Sequence, residues 1–171
     1  MILRMLTADD AAAYQALRLR GLRESPSAFG SSYEEEVDRP LEVVAQRLSG
    51  APEAAVVGAF GEDGALAGIG AVRREPQRKA RHRAGIFGMY VAPEARGRGV
   101  GRALLRALVD HARSLDGVDR LELGVESTNA AARALYLAVG FTTYGVQPDA
   151  YRDGERAWDA ELMTMALREA P

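Results

Sequence analysis

The chain has 171 residues, of which 47% are hydrophobic and 27% are charged. This length and composition predict one folded domain with a real core and argue against disorder. The formal net charge is −2 at pH 7, which argues against binding of nucleic acid through bulk positive charge.

Missing residue types exclude several kinds of site. The chain has no cysteine and two histidines, so disulfides, thiol nucleophiles and zinc–thiolate sites are excluded and no metal site is expected. No segment approaches the ~18 consecutive apolar residues of a membrane span. The N-terminal "MILRML" is too short for the apolar core of a signal peptide. We therefore expect a cytoplasmic protein with no membrane or nucleic-acid partner.

The first 50 residues predict one strand and two helices. Residues 2–6 are apolar enough for a short strand, and Thr7 is the predicted N-cap of a helix that ends before Pro26. The segment "SSYEEEVDRP" (31–40) is predicted to be a loop. An apolar stripe at helical spacing predicts a second helix over 41–50.

The rest of the chain alternates between strand and helix patterns. Strands are predicted over 54–60, 65–74, 84–91, 121–126, 141–146 and 159–167, and helices over 101–115 and 129–140. The resulting order, β-α-α-β-β-β-α-β-α-β-β, is typical of the α/β class with a mixed sheet.

The stretch "ARGRGVGRALL" (95–105) lies between a predicted buried strand and an amphipathic helix. A helix N-terminus offers unpaired N–H groups and a positive dipole end, glycines let a ligand approach the backbone, and arginines bind phosphate oxygens. These features together suit a pyrophosphate. The positions concerned are Arg96, Gly97, Arg98, Gly99, Val100, Gly101 and Arg102.

The familiar nucleotide-binding loops fit this stretch less well. A Walker loop needs Gly-Lys-Ser/Thr, which is absent. The dinucleotide fingerprint would need glycine where Arg102 stands. A glycine-rich turn with solvated arginines is the remaining alternative, and the strand before it and the helix after it make that alternative weaker.

Two motifs resemble those of a known family. "GMYVAPEARGRGVGRALL" resembles motif A of the GNAT superfamily of acyl-CoA N-acyltransferases, whose loop Arg/Gln-x-x-Gly-x-Gly/Ala matches Arg96, Gly99 and Gly101. "LELGVESTNAAARALYLAVGF" is similar to the motif that follows, with Asn129 and Tyr136 in place. The resemblance implies a GNAT-like fold over residues 1–171, with a twisted mixed sheet of about six or seven strands flanked by about four helices.

The resemblance also implies an activity and roles for particular residues. The expected reaction is acetyl transfer from acetyl-CoA to a primary amine, by direct attack in a ternary complex. Backbone groups of Met89, Tyr90 and Val91 would pair with the pantetheine arm, and an N–H near Val91 would polarise the thioester. Asn129 would contact the same arm, although an N-cap role explains it as well. Tyr136 would protonate the leaving thiolate, or else serve as a core tyrosine.

The general base is less evident from the sequence. Glu126, at the end of its strand, is the leading candidate, and a solvated strand-end carboxylate is the alternative. Tyr90 and His82 are weaker candidates. His82 lies in "RREPQRKARHR" (73–83), a basic stretch that we interpret as a hairpin-end charge cluster rather than a surface for nucleic acid or an acidic substrate.

The acceptor is left open at this point. Glu34 to Glu36 would attract a cationic amine or form a solvated loop, and Tyr151 and Trp158 would line an aromatic wall or simply pack. A small-molecule amine, a protein N-terminus and a lysine are all compatible with the motifs. Alternative functions are a non-catalytic acyl-CoA-binding or sensor module, and an O- or longer-chain acyltransferase. Dimers are common in the family, so a homodimer is left open.

Overall fold

A computed structural model describes residues 1–50 and 52–168, and within them seven strands form one sheet with five helices packed on it. The strands are β1 (Ile2–Met5), β2 (Ala54–Phe60), β3 (Leu66–Arg74), β4 (Arg83–Val91), β5 (Arg120–Glu126), β6 (Thr142–Asp153) and β7 (Arg156–Ala166). The helices are α1 (Ala11–Glu24), α2 (Tyr33–Glu36), α3 (Leu41–Leu48), α4 (Val100–Ser114) and α5 (Ala130–Val139). None of these helices is both long and apolar enough to span a membrane.

The sheet is mixed, as predicted. Its strand order is β1-β2-β3-β4-β5-β7-β6. Strands β4 and β5 are parallel, while every other neighbouring pair is antiparallel. Strand β7 lies between β5 and β6, so the last hairpin of the chain extends the sheet beyond β5.

The core consists of two layers, one on each face of the sheet. Helix α4 packs on the first face, where Leu104, Leu105 and Leu108 are fully buried. Helices α1 and α3 cover the opposite face, where Leu22, Val44 and Ile69 are buried. Strand β3 serves both layers because side chains alternate across a sheet: Ile69 faces α1, while Val72 faces α4.

Two glycines of β3 allow α4 to lie close to the sheet. A Cβ atom at Gly68 would be 2.9 Å from Leu104 Cδ1, and one at Gly70 would be 2.9 Å from Leu108 Cδ1 and 2.5 Å from Met89 Sδ. Real Cβ atoms do not come so close to their neighbours, so any side chain here would push the helix or Met89 away. The position of α4 therefore depends on these glycines.

Helix α2 was not predicted, because the segment 31–40 was expected to be a loop. It is a single turn that a capping box stabilises: Ser32 N–H donates to Glu35 Oε2 at 2.7 Å, and Glu35 N–H donates to Ser32 Oγ at 3.3 Å. The loop prediction was wrong here because the sequence shows too few apolar residues for a helical pattern, while the local caps suffice for one turn.

The last two strands are longer than predicted. Strand pairing continues through Tyr151↔Trp158 to Asp153↔Arg156, beyond the predicted 141–146 and 159–167. Gly154, at φ = 57°, forms the tight turn. The intervening residues are mostly polar and mostly exposed, so the sequence lacks the apolar alternation from which a strand is normally predicted.

Candidate functional site

Strands β4 and β5 separate in the middle of the sheet. Their parallel pairing covers three positions, from Arg83↔Arg120 to Gly85↔Glu122, and no further pair between them occurs in the described residues. The cause lies in Gly88, which has φ = 63° and stands where the β3–β4 register shifts. A β-bulge of this kind bends its strand away from the neighbour. The C-terminal half of β4 therefore has open backbone on the β5 side.

The backbone groups of Val91 face this opening. The neighbouring Ala92 N–H donates to Ala67 O on β3 at 2.9 Å. Since successive residues of a strand direct their polar groups to opposite sides, Val91 directs its N–H and C=O away from β3. Its C=O accepts a hydrogen bond from Arg96 Nε at 2.9 Å. Its N–H faces the opening and is available as a donor to a ligand.

The loop predicted to bind an anion runs from the end of β4 to the start of α4. Gly97 (φ = 73°) and Gly99 (φ = 80°) adopt left-handed conformations, and a Cβ atom at either would meet nothing within 4 Å. Within the described chain, the N–H groups of residues 97–102 have no protein acceptor. They surround the N-terminus of α4, so the loop presents a row of free donors at the positive end of a helix dipole.

The three arginines of this loop take different positions. The Arg96 guanidinium lies 5.8 Å from the Tyr90 ring centroid, so it is held beside the loop by the ring and by the Val91 carbonyl. Arg102 borders the same opening. Arg98 instead borders a separate depression beside Glu94. The structure thus brings Arg96 and Arg102 together at the opening and leaves Arg98 outside it.

A cleft of about 630 Å³, here called the loop cleft, lies between the C-terminal end of β4 and the start of α5. It is bounded by the loop, the end of β4 and the first turns of α4 and α5. Its lining includes Met89, Tyr90, Val91, Arg96, Gly97, Gly99, Val100, Gly101, Arg102 and Asn129, all of which were predicted from the sequence.

A second cavity of about 330 Å³, the central chamber, adjoins the loop cleft. Both are lined by Ala28, Met89, Asn129 and Ala132, so they meet at the start of α5. The central chamber also contains Tyr136 and, from the last hairpin, Tyr151. A long ligand in the loop cleft therefore has a continuous path to a second molecule in the chamber.

Tyr136 lies on α5 at the edge of both the core and the central chamber. Its side chain is 7% exposed and contacts the Phe141 ring edge-on, with centroids 6.0 Å apart. Burial raises the pKa of its hydroxyl to about 12. The hydroxyl makes no hydrogen bond within the described chain, which leaves it free to donate to a ligand.

Asn129 has the N-cap role that was considered for it. Its Oδ1 accepts a hydrogen bond from Ala132 N–H at 3.0 Å. This bond fixes the side chain at the junction of the two cavities. Because this bond fixes the orientation of the side-chain amide, it also fixes Nδ2 of Asn129. Nδ2 remains available as a donor to a ligand.

Tyr90 contributes backbone to the loop cleft, while its ring packs against α1. Its hydroxyl donates to Glu24 Oε2 at 2.5 Å. Burial and this bond together raise the pKa of Tyr90 to about 12. A hydroxyl that is already bonded and hard to ionise is a poor proton acceptor, so Tyr90 stays a weak candidate for the general base.

Glu126 lies at the C-terminal end of β5, and it is not among the residues that line the loop cleft or the central chamber. Its two oxygens accept hydrogen bonds from hydroxyls, one from Ser27 and the other from Thr128 at 2.5 Å. The Ser27 contact joins β5 to the segment that follows α1. Glu126 is therefore a held, half-buried carboxylate, unlike the solvated strand-end residue that was the alternative.

Sequence reasoning missed Arg18, which lies on α1 and borders the central chamber. A signal for it was available. Arg18 follows Tyr14 by four residues and precedes Leu22 by four, so it stands on the apolar stripe of its helix. A charged residue in such a stripe is buried only when it has partners, and it is therefore a candidate for function.

The acidic segment near the chamber does not present free carboxylates to it. Glu36, on α2, is 2% exposed and is surrounded by arginines. The basic stretch 73–83 is partly paired as well, since Arg74 and Arg81 contact Glu53 and Arg83 contacts Glu122.

The chain is similar to known proteins. Residues 19–141 match the Acetyltransferase (GNAT) family. Mycothiol acetyltransferase from Beutenbergia cavernae is 52% identical over 61 residues, which are 36% of this chain and 20% of that protein. The [Ribosomal protein bS18]-alanine N-acetyltransferase of Escherichia coli is 36% identical over 82 residues, 48% of this chain and 55% of that protein. The chain thus spans from a fifth to about half of these curated relatives.

A solved structure gives the same result over the full fold. The structure of yncA from Salmonella typhimurium with its cofactor acetyl-CoA superposes with a TM-score of 0.80 at 25% identity, and covers 100% of this chain and 96% of that one. The family match extends over well more than half of the chain, and both matched motifs border the loop cleft. The chain belongs to the GNAT acetyltransferase family.

Proposed function

We propose that this protein is a single-domain, cytoplasmic N-acetyltransferase that moves the acetyl group of acetyl-CoA to a primary amine. The observation that supports this most is the pair of joined cavities. The loop cleft has free backbone donors for a pyrophosphate at one end, and at the other it meets a chamber large enough for a second reactant. Two reactants held at such a junction react as if in one molecule.

The loop is suited to the pyrophosphate of the donor. The N–H groups of residues 97–102 need acceptors, and phosphate oxygens are the acceptors that helix N-termini bind best. Arg96 and Arg102 add positive charge at the same place. Because Gly97 and Gly99 have no Cβ, the anion can approach the backbone directly.

Open backbone on β4 is suited to the extended part of the donor. Acetyl-CoA, when bound, supplies an acetyl thioester at the end of an arm that contains amides. Val91 N–H is the chain's available donor at the separation of the strands, and it would stabilise the negative charge that develops on the carbonyl oxygen. The carbonyl of Val91 is already bonded to Arg96, so the loop and this donor are held together.

Acyl transfer needs one proton removed and one supplied. The amine nitrogen forms a bond to the carbonyl carbon and loses a proton, while the C–S bond breaks and the sulfur leaves as a thiolate. The Tyr136 hydroxyl would give the thiolate a proton; it lines the central chamber, is neutral at physiological pH and makes no hydrogen bond within the described chain. No enzyme nucleophile is required, in agreement with a chain that has no cysteine.

Glu126 is the proposed general base. Its carboxylate accepts hydrogen bonds from the Ser27 and Thr128 hydroxyls. Because it borders neither cavity, a chain of water molecules would have to carry the proton from the amine to it. The amine must lose its proton because ammonium groups dominate at neutral pH and have no lone pair to attack with.

The test is release of CoA with a panel of amines. The absence of cysteine from the chain keeps the assay free of protein thiols, so the thiol that is detected comes from released CoA.

The loop is tested by calorimetry. Arg96→Ala and Gly99→Val should weaken acetyl-CoA binding about 10- to 100-fold, because the first variant loses a charged donor and the second strains a left-handed position. Arg106→Ala is the matched control, because Arg106 is an exposed arginine on α4, the helix that follows the loop. Unchanged affinity in both loop variants would refute the assignment.

The alternative functions give different results in the same assay. A non-catalytic sensor would bind acetyl-CoA and release no CoA with any amine. An O-acyltransferase would respond to alcohols rather than amines, and a longer-chain enzyme would prefer a longer acyl-CoA. The named relatives include one that acts on a ribosomal protein, so the panel should contain peptides with free N-termini as well as small amines. A homodimer is not needed for the proposed mechanism.

A further inference from the structure

The central chamber contains a buried arginine that the reaction does not use. Arg18 is 8% exposed, and its Nη2 donates to Ser31 Oγ at 3.0 Å and to Glu36 Oε1 at 3.3 Å. Its Nη1 lies 3.6 Å from where a Cβ of Gly88 would be, so the guanidinium reaches the bulge at which β4 turns from β5. The side chain thus ends beside the proposed reaction site.

The hydrogen bonds of Arg18 are incomplete. Its Nε is buried and has no partner in the described chain. A buried donor without an acceptor costs free energy that a folded protein normally avoids. Its Nη1, which lies beside Gly88, makes no hydrogen bond within the described chain either. Because the guanidinium borders the central chamber, a ligand there could supply an acceptor atom for Nη1.

Glu36 does not neutralise the surroundings of Arg18. Its Oε2 also accepts from Arg39 Nε at 3.0 Å and from Arg47 Nη1 at 3.5 Å. One carboxylate therefore faces three guanidinium groups. Arg39 and Arg47 are enough to balance the negative charge of Glu36. Pairing with Glu36 alone therefore does not explain why a third arginine, Arg18, is buried here.

Positive charge also dominates the adjoining space. A third cavity of about 400 Å³ meets the central chamber at Arg18, Ser31 and Phe87. It is also bordered by Arg47, Arg73 and Glu36, so three arginines face one carboxylate there. Within the described residues the lining of the central chamber contains one charged side chain, Arg18, and no carboxylate. This arrangement repels a polyamine and attracts an anion.

We propose that the acceptor amine carries a carboxylate, and that Arg18 together with the Ser31 hydroxyl binds it. An α-amino acid has this chemistry, with its amine next to its carboxylate. The guanidinium would hold the acid group while the amine points toward Tyr136 and the open backbone of β4. This inference rests on the proposed acetyl transfer and specifies its acceptor class.

The first test compares acids with their amides in the unaltered enzyme. A panel of L-α-amino acids is assayed for CoA release beside the α-carboxamide of each. At least one acid should be acetylated with a kcat/KM about 10- to 100-fold above its carboxamide, because a site built for a charged group discriminates strongly against its neutral analogue. Amidation of the carboxylate makes the neighbouring amine less basic, so a larger fraction of it is neutral and able to attack. The intrinsic reactivity therefore favours the carboxamide. A preference for the acid must then come from the binding site.

The second test removes the charge. Arg18→Gln should abolish the preference for the acid while acetyl-CoA affinity by calorimetry stays unchanged, and Arg18→Lys should retain part of the preference. Arg39→Gln is the matched control, because it removes a different guanidinium from Glu36 and does not border either cavity. The Arg39→Gln variant should prefer the acid over its carboxamide as strongly as the unaltered enzyme does.

The outcomes separate this inference from the proposed function. CoA release with carboxamides or plain amines at rates equal to those with acids would overturn the carboxylate site and leave acetyl transfer intact. Absence of CoA release with every amine would overturn the proposed function itself. If Arg18→Gln fails to fold, the acid-to-amide comparison in the unaltered enzyme still decides.

Discussion

At the scale of single residues, burial keeps the hydroxyl of Tyr136, the proposed acid, protonated. A tyrosine in water ionises near pH 10, whereas burial raises the pKa of Tyr136 to about 12. The neutral form, which is the one that can donate a proton, therefore persists at alkaline pH. The same burial that stabilises the core thus keeps the proposed acid in its working state.

Replacement of Tyr136 by phenylalanine removes this donor with little change in volume. The kcat should fall about 100-fold or more, while the KM for acetyl-CoA changes little. In the unaltered enzyme, kcat should not decline between pH 8 and pH 10 through Tyr136, because its protonated form is lost only as pH approaches about 12. Tyr144→Phe, at a residue that is 57% exposed, is the control. Near-normal kcat in Tyr136→Phe would rule out the role.

Glu126 is tested by a change that keeps its shape. Glu126→Gln retains an acceptor for one hydroxyl and loses the charge. Activity should fall about 100-fold at pH 7 and recover at higher pH, where the amine is already deprotonated. Glu122→Gln, on the same strand but paired with Arg83, is the control. Equal activity of the two variants across the pH range would show that water removes the proton instead.

At the scale of secondary-structure elements, the position of α4 depends on the missing side chains of β3. Gly70→Val should lower the free energy of unfolding by about 1–3 kcal/mol, because its side chain would displace Leu108 and Met89. It should also weaken acetyl-CoA binding, since α4 carries the loop. Gly145→Val is the control: a Cβ atom at Gly145 would have no neighbour within 4 Å, so this variant should change the free energy of unfolding by less than about 0.5 kcal/mol. Thermal denaturation measures both, and equal stabilities would contradict this role of Gly70.

Local patterns determine which elements could be predicted from the sequence. The loop before α4 was predictable because glycine, arginine and an amphipathic helix occur in one continuous stretch. Helix α2 and the outer half of the last hairpin were not, since one depends on a capping box and the other on pairing with a distant strand. Arg18 stands on the apolar stripe of α1, which the sequence shows, but its partners Ser31 and Glu36 come near it only in the folded chain.

At the scale of the whole molecule, the loop cleft is lined by β4 and α4 on one side and by α5, which follows β5, on the other. The three residue pairs that join β4 to β5 lie at the starts of these strands. A donor bound in the cleft would contact both halves of the fold, and it would bind only the folded state. At a free concentration near 100 times Kd, it should add about 2.7 kcal/mol to the free energy of unfolding and raise Tm by about 5–10 °C. Calorimetric scans with and without acetyl-CoA check this. Arg96→Ala should show a smaller rise at the same concentration, and no rise in the unaltered protein would count against the site.

The separation of β4 and β5 has a further consequence for how the protein avoids aggregation. Unpaired backbone groups normally occur along the outer strands of a sheet, where strands of other proteins can add to them. Here part of the unpaired backbone lies in the middle of the sheet, between the starts of α4 and α5. The helices α4 and α5 flank this opening, and it lies between inner strands rather than at β1 or β6, the outer strands of the sheet. The fold thereby gains a surface for backbone pairing without adding an exposed edge.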